Sequence, residues 1–195
     1  MNIVKGYSFF VFGWMFSGMT VVAADTMLPD SSVGDWSAKV SEFELSDGSV
    51  LFEYTARTFS GSTEGAMLAI SFVPRFNCEQ TVNVRLPDEV QPESADVVLE
   101  MSFDGKQLRH AGLVDDAGEF LIYSVGATVD EISALRGIID VSDRASIRII
   151  PDTNDSSGKV PGSAAVEFSL HGSRLVALTA QTSCLSHVPL DYKPR

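Results

Sequence analysis

Short segments in which apolar and polar residues alternate, separated by turn-forming residues, run through most of the chain. A period of two places the apolar side chains on one face of a β-strand. The clearest pair of strands is predicted at 97–103 and 106–114, on either side of Asp104-Gly105. An Asp-Gly pair favours the positive φ angles of a type I′ turn, whose twist suits antiparallel strands. Asp47-Gly48 marks a second hairpin in the same way.

The remaining alternating segments predict further strands at 36–45, 50–57, 66–73, 82–86, 119–125, 145–150 and 166–170. A helix is predicted at 129–138, because Thr128 and Glu131 match a capping box in which each side chain binds a free backbone N–H. A second helix is predicted from Gly172-Ser173 towards Cys184. Closely spaced short strands favour a mainly β, antiparallel β-sandwich or open barrel with two short helices. At 195 residues, one β-rich domain over 36–186 is expected.

Residues 1–24 have the features of a secretory signal peptide. Lys5 provides the positive start, an uncharged and mostly apolar stretch follows, and Val22-Ala23-Ala24 offers small residues for cleavage before Asp25. A retained membrane anchor is the alternative, because the uncharged stretch is long enough to span a bilayer. After cleavage we expect no membrane span, a flexible leader at 25–35, a loose tail at 187–195, and a periplasmic or secreted location.

The chain is strongly acidic, with 26 acidic and 14 basic residues. Removal of residues 1–24 takes away Lys5 and no acidic residue, so the net charge moves from −12 to −13 over the remaining 171 residues. Such a chain repels the phosphate backbone of nucleic acids, and a nucleic-acid partner is therefore not expected. The charge favours a protein partner with a basic surface. The alternative is that the charge only keeps the protein soluble.

Two cysteines, Cys78 and Cys184, allow one intramolecular pairing. An export signal with an even cysteine count predicts a structural disulfide formed in an oxidising compartment. The bond would tie the middle of the chain to its C-terminal end. A catalytic or redox role is not expected for either cysteine, because the chain has no Cys-x-x-Cys motif.

No motif predicts catalysis or metal binding. The three histidines, His110, His171 and His187, are far apart in sequence and lack the close spacing of metal ligands. The segment 61–65 has the glycine frame of a nucleophile elbow, but Thr63 stands in the place of the serine and the context is an inter-strand loop. We therefore expect a non-enzymatic protein with no catalytic residue, no metal and no cofactor. An enzyme whose site assembles only in the folded chain, from His110 or His171 and a carboxylate, is an alternative.

Two kinds of acidic sequence could form a functional site: pairs of adjacent carboxylates, which could be catalytic, and a segment that resembles a calcium-binding loop. Adjacent carboxylates can catalyse glycoside hydrolysis when one of them is desolvated and stays protonated. The segment 152–158 resembles a calcium loop, but its glycine is at the seventh position and Ser163 is at the twelfth, where an EF-hand has Gly at six and Glu at twelve. The adjacent carboxylates lie in predicted turns or at a helix start, where solvation keeps them ionised: Asp88-Glu89, Asp115-Asp116 and Asp130-Glu131.

The mature chain resembles the invasion-associated locus B family of exported bacterial β-proteins over about 36–184. The resemblance is carried by Asp35-Trp36 at the first strand, Cys78 after a mid-chain strand, and the ending 168–173 followed by Leu175 and Cys184. The segment 132–135, on the predicted helix before the strand at 146–149, belongs to it as well. The family usually carries another cysteine soon after the tryptophan, and none stands there in this chain. The resemblance implies a non-catalytic periplasmic β-sandwich with a role at the cell envelope or in host association.

The sequence therefore favours two functions. The first is a non-enzymatic exported binding or envelope-associated protein, stabilised by one disulfide. The second is a periplasmic inhibitor or immunity protein against a basic exported hydrolase, which the charge of the mature chain favours.

Overall fold

The computed structural model describes residues 24–44, 48–87, 97–116, 120–125, 128–151 and 165–188. Ten antiparallel strands and two α-helices make up most of these residues. The strands are β1 (Ala24–Val33), β2 (Trp36–Glu44), β3 (Val50–Phe59), β4 (Met67–Phe72), β5 (Gln80–Pro87), β6 (Val97–Phe103), β7 (Lys106–Asp116), β8 (Phe120–Val125), β9 (Arg144–Pro151) and β10 (Val166–Ser169). The helices are α1 (Val129–Ile139) and α2 (Ser173–Leu185).

The strands follow one another in the order β1-β2-β3-β4-β5-β8-β7-β6-β9-β10. Strand β7 joins two sheets, because its residues 106–111 pair with β6 while residues 112–116 pair with β8. The first sheet therefore contains β1 to β5, β8 and the end of β7, and the second contains the start of β7, β6, β9 and β10. This arrangement confirms the prediction of a mainly β, antiparallel architecture with two short helices.

The Asp104-Gly105 hairpin forms as predicted. Both residues have positive φ angles, 46° and 88°, and Phe103 pairs with Lys106 across the turn. The Asp104 carboxylate also accepts hydrogen bonds from the backbone N–H groups of Asp143 (2.9 Å) and Arg144 (3.3 Å). The hairpin turn is thereby tied to the start of β9.

Both predicted helices are confirmed. Helix α1 begins after Thr128, whose side chain accepts from the Glu131 N–H while the Glu131 carboxylate accepts from the Thr128 N–H, each at 3.2 Å. Helix α2 begins after Gly172 and packs on the inner face of the first sheet, over β1 to β4.

A single core lies between the sheets and the helices. Alternate residues of β3, β4 and β5 point into it from the first sheet, and alternate residues of β6 and β9 from the second. Trp36 is 1% exposed, and its indole N–H donates to the Ser169 carbonyl at 2.9 Å, which links β2 to β10. The largest fully buried side chains of the core are Trp36, Phe72, Phe103, Leu68, Ile70, Leu86, Leu99, Met101, Leu135, Ile139 and Ile147.

The disulfide between Cys78 and Cys184 is present, with the two Cα atoms 6.0 Å apart. Cys78 follows a single 3-10 turn, Pro74–Phe76, that connects β4 to β5. Cys184 lies in the last turn of α2. The bond therefore fastens the C-terminal end of α2 to the sheet on which the helix packs.

The expectation of a flexible leader at 25–35 is wrong, because residues 24–33 form β1 and pair with β2. Pro29 and the polar residues around it suggested a chain without fixed structure. The pairing register shifts between Met27 and Ser32, so the proline lies in an irregular part of an edge strand. Edge strands and bulges tolerate proline because no ladder hydrogen bond is lost there.

Several predicted segments lie outside the described residues. These are the signal peptide apart from Ala24, all of the tail after Val188, the carboxylate pair Asp88-Glu89 and the loop at 152–158. In the part of the chain that the structure describes, no helix is both long enough and apolar enough to cross a bilayer.

Candidate binding groove between α1 and α2

A groove with a volume of about 340 Å³ lies between the end of α1 and the start of α2. Three of its side chains are large, apolar and exposed: Val141 is 80% exposed, and Leu175 and Leu178 are each 55% exposed. Leu170 is buried at the same place. The groove is lined by Asp140, Val141, Ser142, Asp143, Leu170, His171, Gly172, Ser173, Arg174, Leu175 and Leu178.

The two leucines face outwards because the opposite side of α2 forms the core. Residues that recur at helical spacing are buried on that inner side: Val176, Ala177, Ala180 and Cys184. Leu175 and Leu178 are offset from this set and lie on the outer side of the helix. Val141 lies two residues beyond Ile139, the last residue of α1, in a turn that leads into β9.

Hydrogen bonds hold the walls of the groove in place. The Ser173 hydroxyl donates to the Ile139 carbonyl (3.2 Å), joining the first turn of α2 to the end of α1. The Leu170 N–H donates to the Asp143 carbonyl (2.8 Å), which joins the segment before α2 to the segment before β9. A pocket whose walls are fixed before binding costs less to order when a ligand enters.

Charged groups line the rim of the groove. Asp140, which caps the C-terminal end of α1, forms an ion pair with Arg136 of that helix at 2.7 Å, while Asp143 and Arg174 are exposed. Apolar walls with a charged rim suit a protein or peptide that inserts an apolar side chain and places polar groups around it.

The histidines are not brought together. His171 is exposed at the rim of the groove, and His187 is exposed beyond the other end of α2. The His187 ring lies 5.4 Å from the ring of Tyr54, whose pKa is raised by burial. His110 lies on β7 opposite Leu99, and its side chain is outside the described residues.

The other candidate catalytic groups are placed as follows. The loop at 60–65 connects β3 to β4, and the Ser60 hydroxyl accepts from the N–H groups of Ser62 and Thr63 at 3.2 Å. Asp130 and Glu131 are exposed in the first turn of α1. The pair at 115–116 lies at the end of β7, with its side chains outside the described part of the chain. Among the described residues, no three histidine, cysteine or acidic side chains form a cluster that could hold a metal ion.

Comparison with protein-family models, with curated proteins and with solved structures finds no match. The resemblance to the invasion-associated locus B family therefore stays a prediction from the sequence. The function of the protein is therefore inferred from the geometry and charge of this chain.

A cluster of three charged side chains, in which two exposed arginines cover one glutamate, lies on the outer face of the second sheet, and sequence reasoning did not find it. The side chain of Glu100, in β6, is 5% exposed and accepts from Arg109 Nε (3.0 Å) and Arg148 Nε (2.6 Å). The two arginines stand directly opposite Glu100 on the neighbouring strands β7 and β9. The hydrogen bonds from Arg148 and Arg109 lower the pKa of Glu100.

A second cluster without a sequence signal lies on the outer face of the first sheet. The guanidinium groups of Arg57 and Arg85 lie 5.1 and 5.8 Å from the centre of the half-exposed Phe59 ring. Burial and the charge of Arg57 lower the pKa of Arg85. Arg85 Nε also donates to the Gly65 carbonyl at 3.0 Å. These contacts fasten the loop between β3 and β4 to the sheet.

We expect Glu100→Gln to lower the stability of the protein at pH 7, because two arginines would then face each other across a neutral group. The pKa of Glu100 is lower in the folded chain than in the unfolded chain, where a glutamate titrates at about 4.3. The contribution of the carboxylate is therefore present above that value and is lost as the pH falls through the lower, folded pKa.

Urea denaturation of both proteins between pH 2 and 8 measures this effect. The difference in midpoint between wild type and Glu100→Gln should be constant above about pH 5 and should shrink in more acidic solution. Glu167→Gln removes an exposed carboxylate from β10 of the same sheet and is the control. A difference that does not depend on pH would refute the role assigned to the charge.

Proposed function

We propose that the mature chain is an exported, non-enzymatic binding protein that receives an apolar side chain of a partner protein in the groove between α1 and α2. The observation that carries the proposal is the exposure of Val141, Leu175 and Leu178 around a formed concave surface. A contiguous apolar surface with a polar rim is typical of a protein interaction site.

The disulfide supports the exported location. Disulfides persist in oxidising compartments such as the periplasm and the extracellular space, and are rare in the cytosol. The bond joins Cys78 to Cys184, at the far end of the helix that forms one groove wall. A periplasmic or secreted location agrees with the signal peptide predicted at 1–24 and with the envelope role that the locus B resemblance implies.

Capture from a cell-envelope extract tests the proposal with two matched variants. Val141→Asp places a charge in the groove, while Val129→Asp makes the same change at the opposite end of α1, at a side chain that is 52% exposed. We expect Val141→Asp to reduce the captured partner by at least tenfold, because burying an unpaired carboxylate costs more than about 1.4 kcal/mol. Val129→Asp should capture as much as the wild type.

Two results would overturn the proposal. One is equal capture by the wild type and Val141→Asp. The other is that the wild type retains no protein above the level of the bare support.

A second candidate function is inhibition of a basic exported hydrolase. The charge of −13 on the mature chain supports it, because opposite charges speed encounter. Assays against basic peptidoglycan hydrolases at low and at moderate salt test this candidate. Inhibition that weakens as salt rises is the expected result, and absence of inhibition at low salt rejects it.

A further inference from the structure

The outer face of α2 carries a seam that extends beyond the groove. Leu175, Leu178, Thr182 and Leu185 are separated by three, four and three residues, and all four are exposed. This is the spacing of the a and d positions in a helix that pairs with another helix. The three leucines are between 51% and 55% exposed. The seam lies opposite the inner face of Val176, Ala177, Ala180 and Cys184, which is already packed on the first sheet.

The geometry points to a second copy of this chain as the occupant of the seam, with the two α2 helices antiparallel around a two-fold axis. The seam is symmetric about residue 180. Leu175 then meets Leu185 of the second copy, and Leu178 meets Thr182, with the same two contacts repeated by symmetry. An interface between identical chains must be self-complementary in this way.

Charge favours this face for self-association. The mature chain carries −13, so two copies repel each other across most of their surfaces. Helix α2 contains no acidic residue and one basic residue, Arg174. The antiparallel arrangement brings Arg174 to the C-terminal end of the other α2, where the helix dipole is negative and the last turn has no basic residue of its own.

The pairing should be weak and reversible. A 13-residue helix is about 20 Å long, so the seam alone buries less than the roughly 1,200 Å² of a stable interface. Added salt should strengthen the association, because it screens the repulsion between two acidic chains. Binding to a basic hydrolase would respond to salt in the opposite direction.

Self-association has a consequence for the groove, and this consequence rests on the proposed function. Leu175 and Leu178 belong both to the groove and to the seam. A second copy on α2 therefore covers the groove wall, and partner binding competes with self-pairing. The pairing itself requires only α2.

Sedimentation equilibrium of the purified mature protein, from micromolar to several hundred micromolar, tests the inference. We expect the apparent mass to rise with concentration towards twice the monomer mass, and to rise further in added salt. Leu178→Lys should hold the mass at the monomer value, with circular dichroism to confirm that the variant is folded. Val129→Lys, on an exposed side chain of α1, should behave as the wild type.

A double variant tests the register. Leu178→Lys with Thr182→Glu places a lysine opposite a glutamate at both symmetric contacts of the antiparallel pair, so dimerisation should return. In a parallel pair, lysine would meet lysine and dimerisation would stay lost. A wild type that stays monomeric throughout, or a double variant that does not recover, overturns the inference.

Two variants separate this inference from the proposed function. Leu185 lies in the seam but outside the groove, so Leu185→Lys should abolish self-association and retain or increase partner capture. Val141 lies in the groove but outside α2, so Val141→Asp should reduce capture by at least tenfold and leave self-association unchanged. If the wild type is monomeric while Leu185→Lys loses partner capture, the seam belongs to the partner protein and self-pairing is wrong.

Discussion

Replacement of both cysteines, Cys78→Ala with Cys184→Ala, should lower the free energy of unfolding by about 2–5 kcal/mol. The bond joins residues 106 positions apart. Closing so long a loop removes much of the conformational freedom of the unfolded chain, and about 4.7 kcal/mol is the chain-entropy value for a loop of 100 residues. Alanine is the suitable replacement, because the two cysteines are 3% and 0% exposed and a serine hydroxyl would be buried.

Urea denaturation measures this loss. The double variant should unfold at lower urea, and with a steeper dependence on urea, because an unfolded chain without the cross-link exposes more surface. Wild type in reductant should follow the double variant. An unchanged midpoint would mean that the bond does not stabilise the fold, and two reactive thiols in the native wild type would show that it does not form.

Gly172→Ala should destabilise the protein by at least about 2 kcal/mol. Gly172 precedes α2 with a φ of +96°, a conformation that side-chain-bearing residues rarely adopt. A Cβ there would lie 2.0 Å from the carbonyl oxygen of Val33. Relief of this clash requires the end of β1 to move away from the start of α2, at a point where backbone meets backbone.

Gly137→Ala is the control for the glycine prediction. Gly137 lies inside α1, and an added Cβ would meet nothing within 4 Å. Alanine should therefore stabilise the helix by about 0.5–1 kcal/mol, so thermal unfolding should shift in opposite directions for the two variants. An unchanged melting temperature for Gly172→Ala would show that the end of β1 does not pack against α2 in solution.

The elements with local signals were predicted from the sequence. The Asp104-Gly105 turn depends on two residues that tolerate positive φ, and α1 on a capping box formed by residues three positions apart. The disulfide followed from counting cysteines. Each signal lies within a few residues or admits one pairing, so no knowledge of the tertiary structure was required.

The strand order could not be predicted in the same way. Strand β5 pairs with β8, and β6 lies between β7 and β9. Strand β7 pairs with β8 in the first sheet and with β6 in the second, so it passes from one sheet to the other. Such neighbours are chosen by packing between distant segments. Strand β1 was missed for a related reason, since its pairing with β2 outweighs the local preference of Pro29.

The groove was missed although a signal for one wall was present. Helix α2 has two stripes at helical spacing, and the sequence prediction did not decide which faces the core. The disulfide decides it, because Cys184 must face the sheet and residues four and seven positions before it share its side. Leu175 and Leu178 then face outwards. The position of Val141 beside them depends on how α1 packs and has no signal in the sequence.

Site-specific photo-crosslinking in intact cells most directly tests the proposal that the chain is exported and binds a partner protein through the groove. A photoreactive amino acid replaces Val141 at the groove or Val129 at the far end of α1. Light should produce an adduct with one other protein in the envelope fraction from position 141, and none from position 129. The same adducts from both positions, no adduct from position 141, or a product confined to the cytosol would contradict the account.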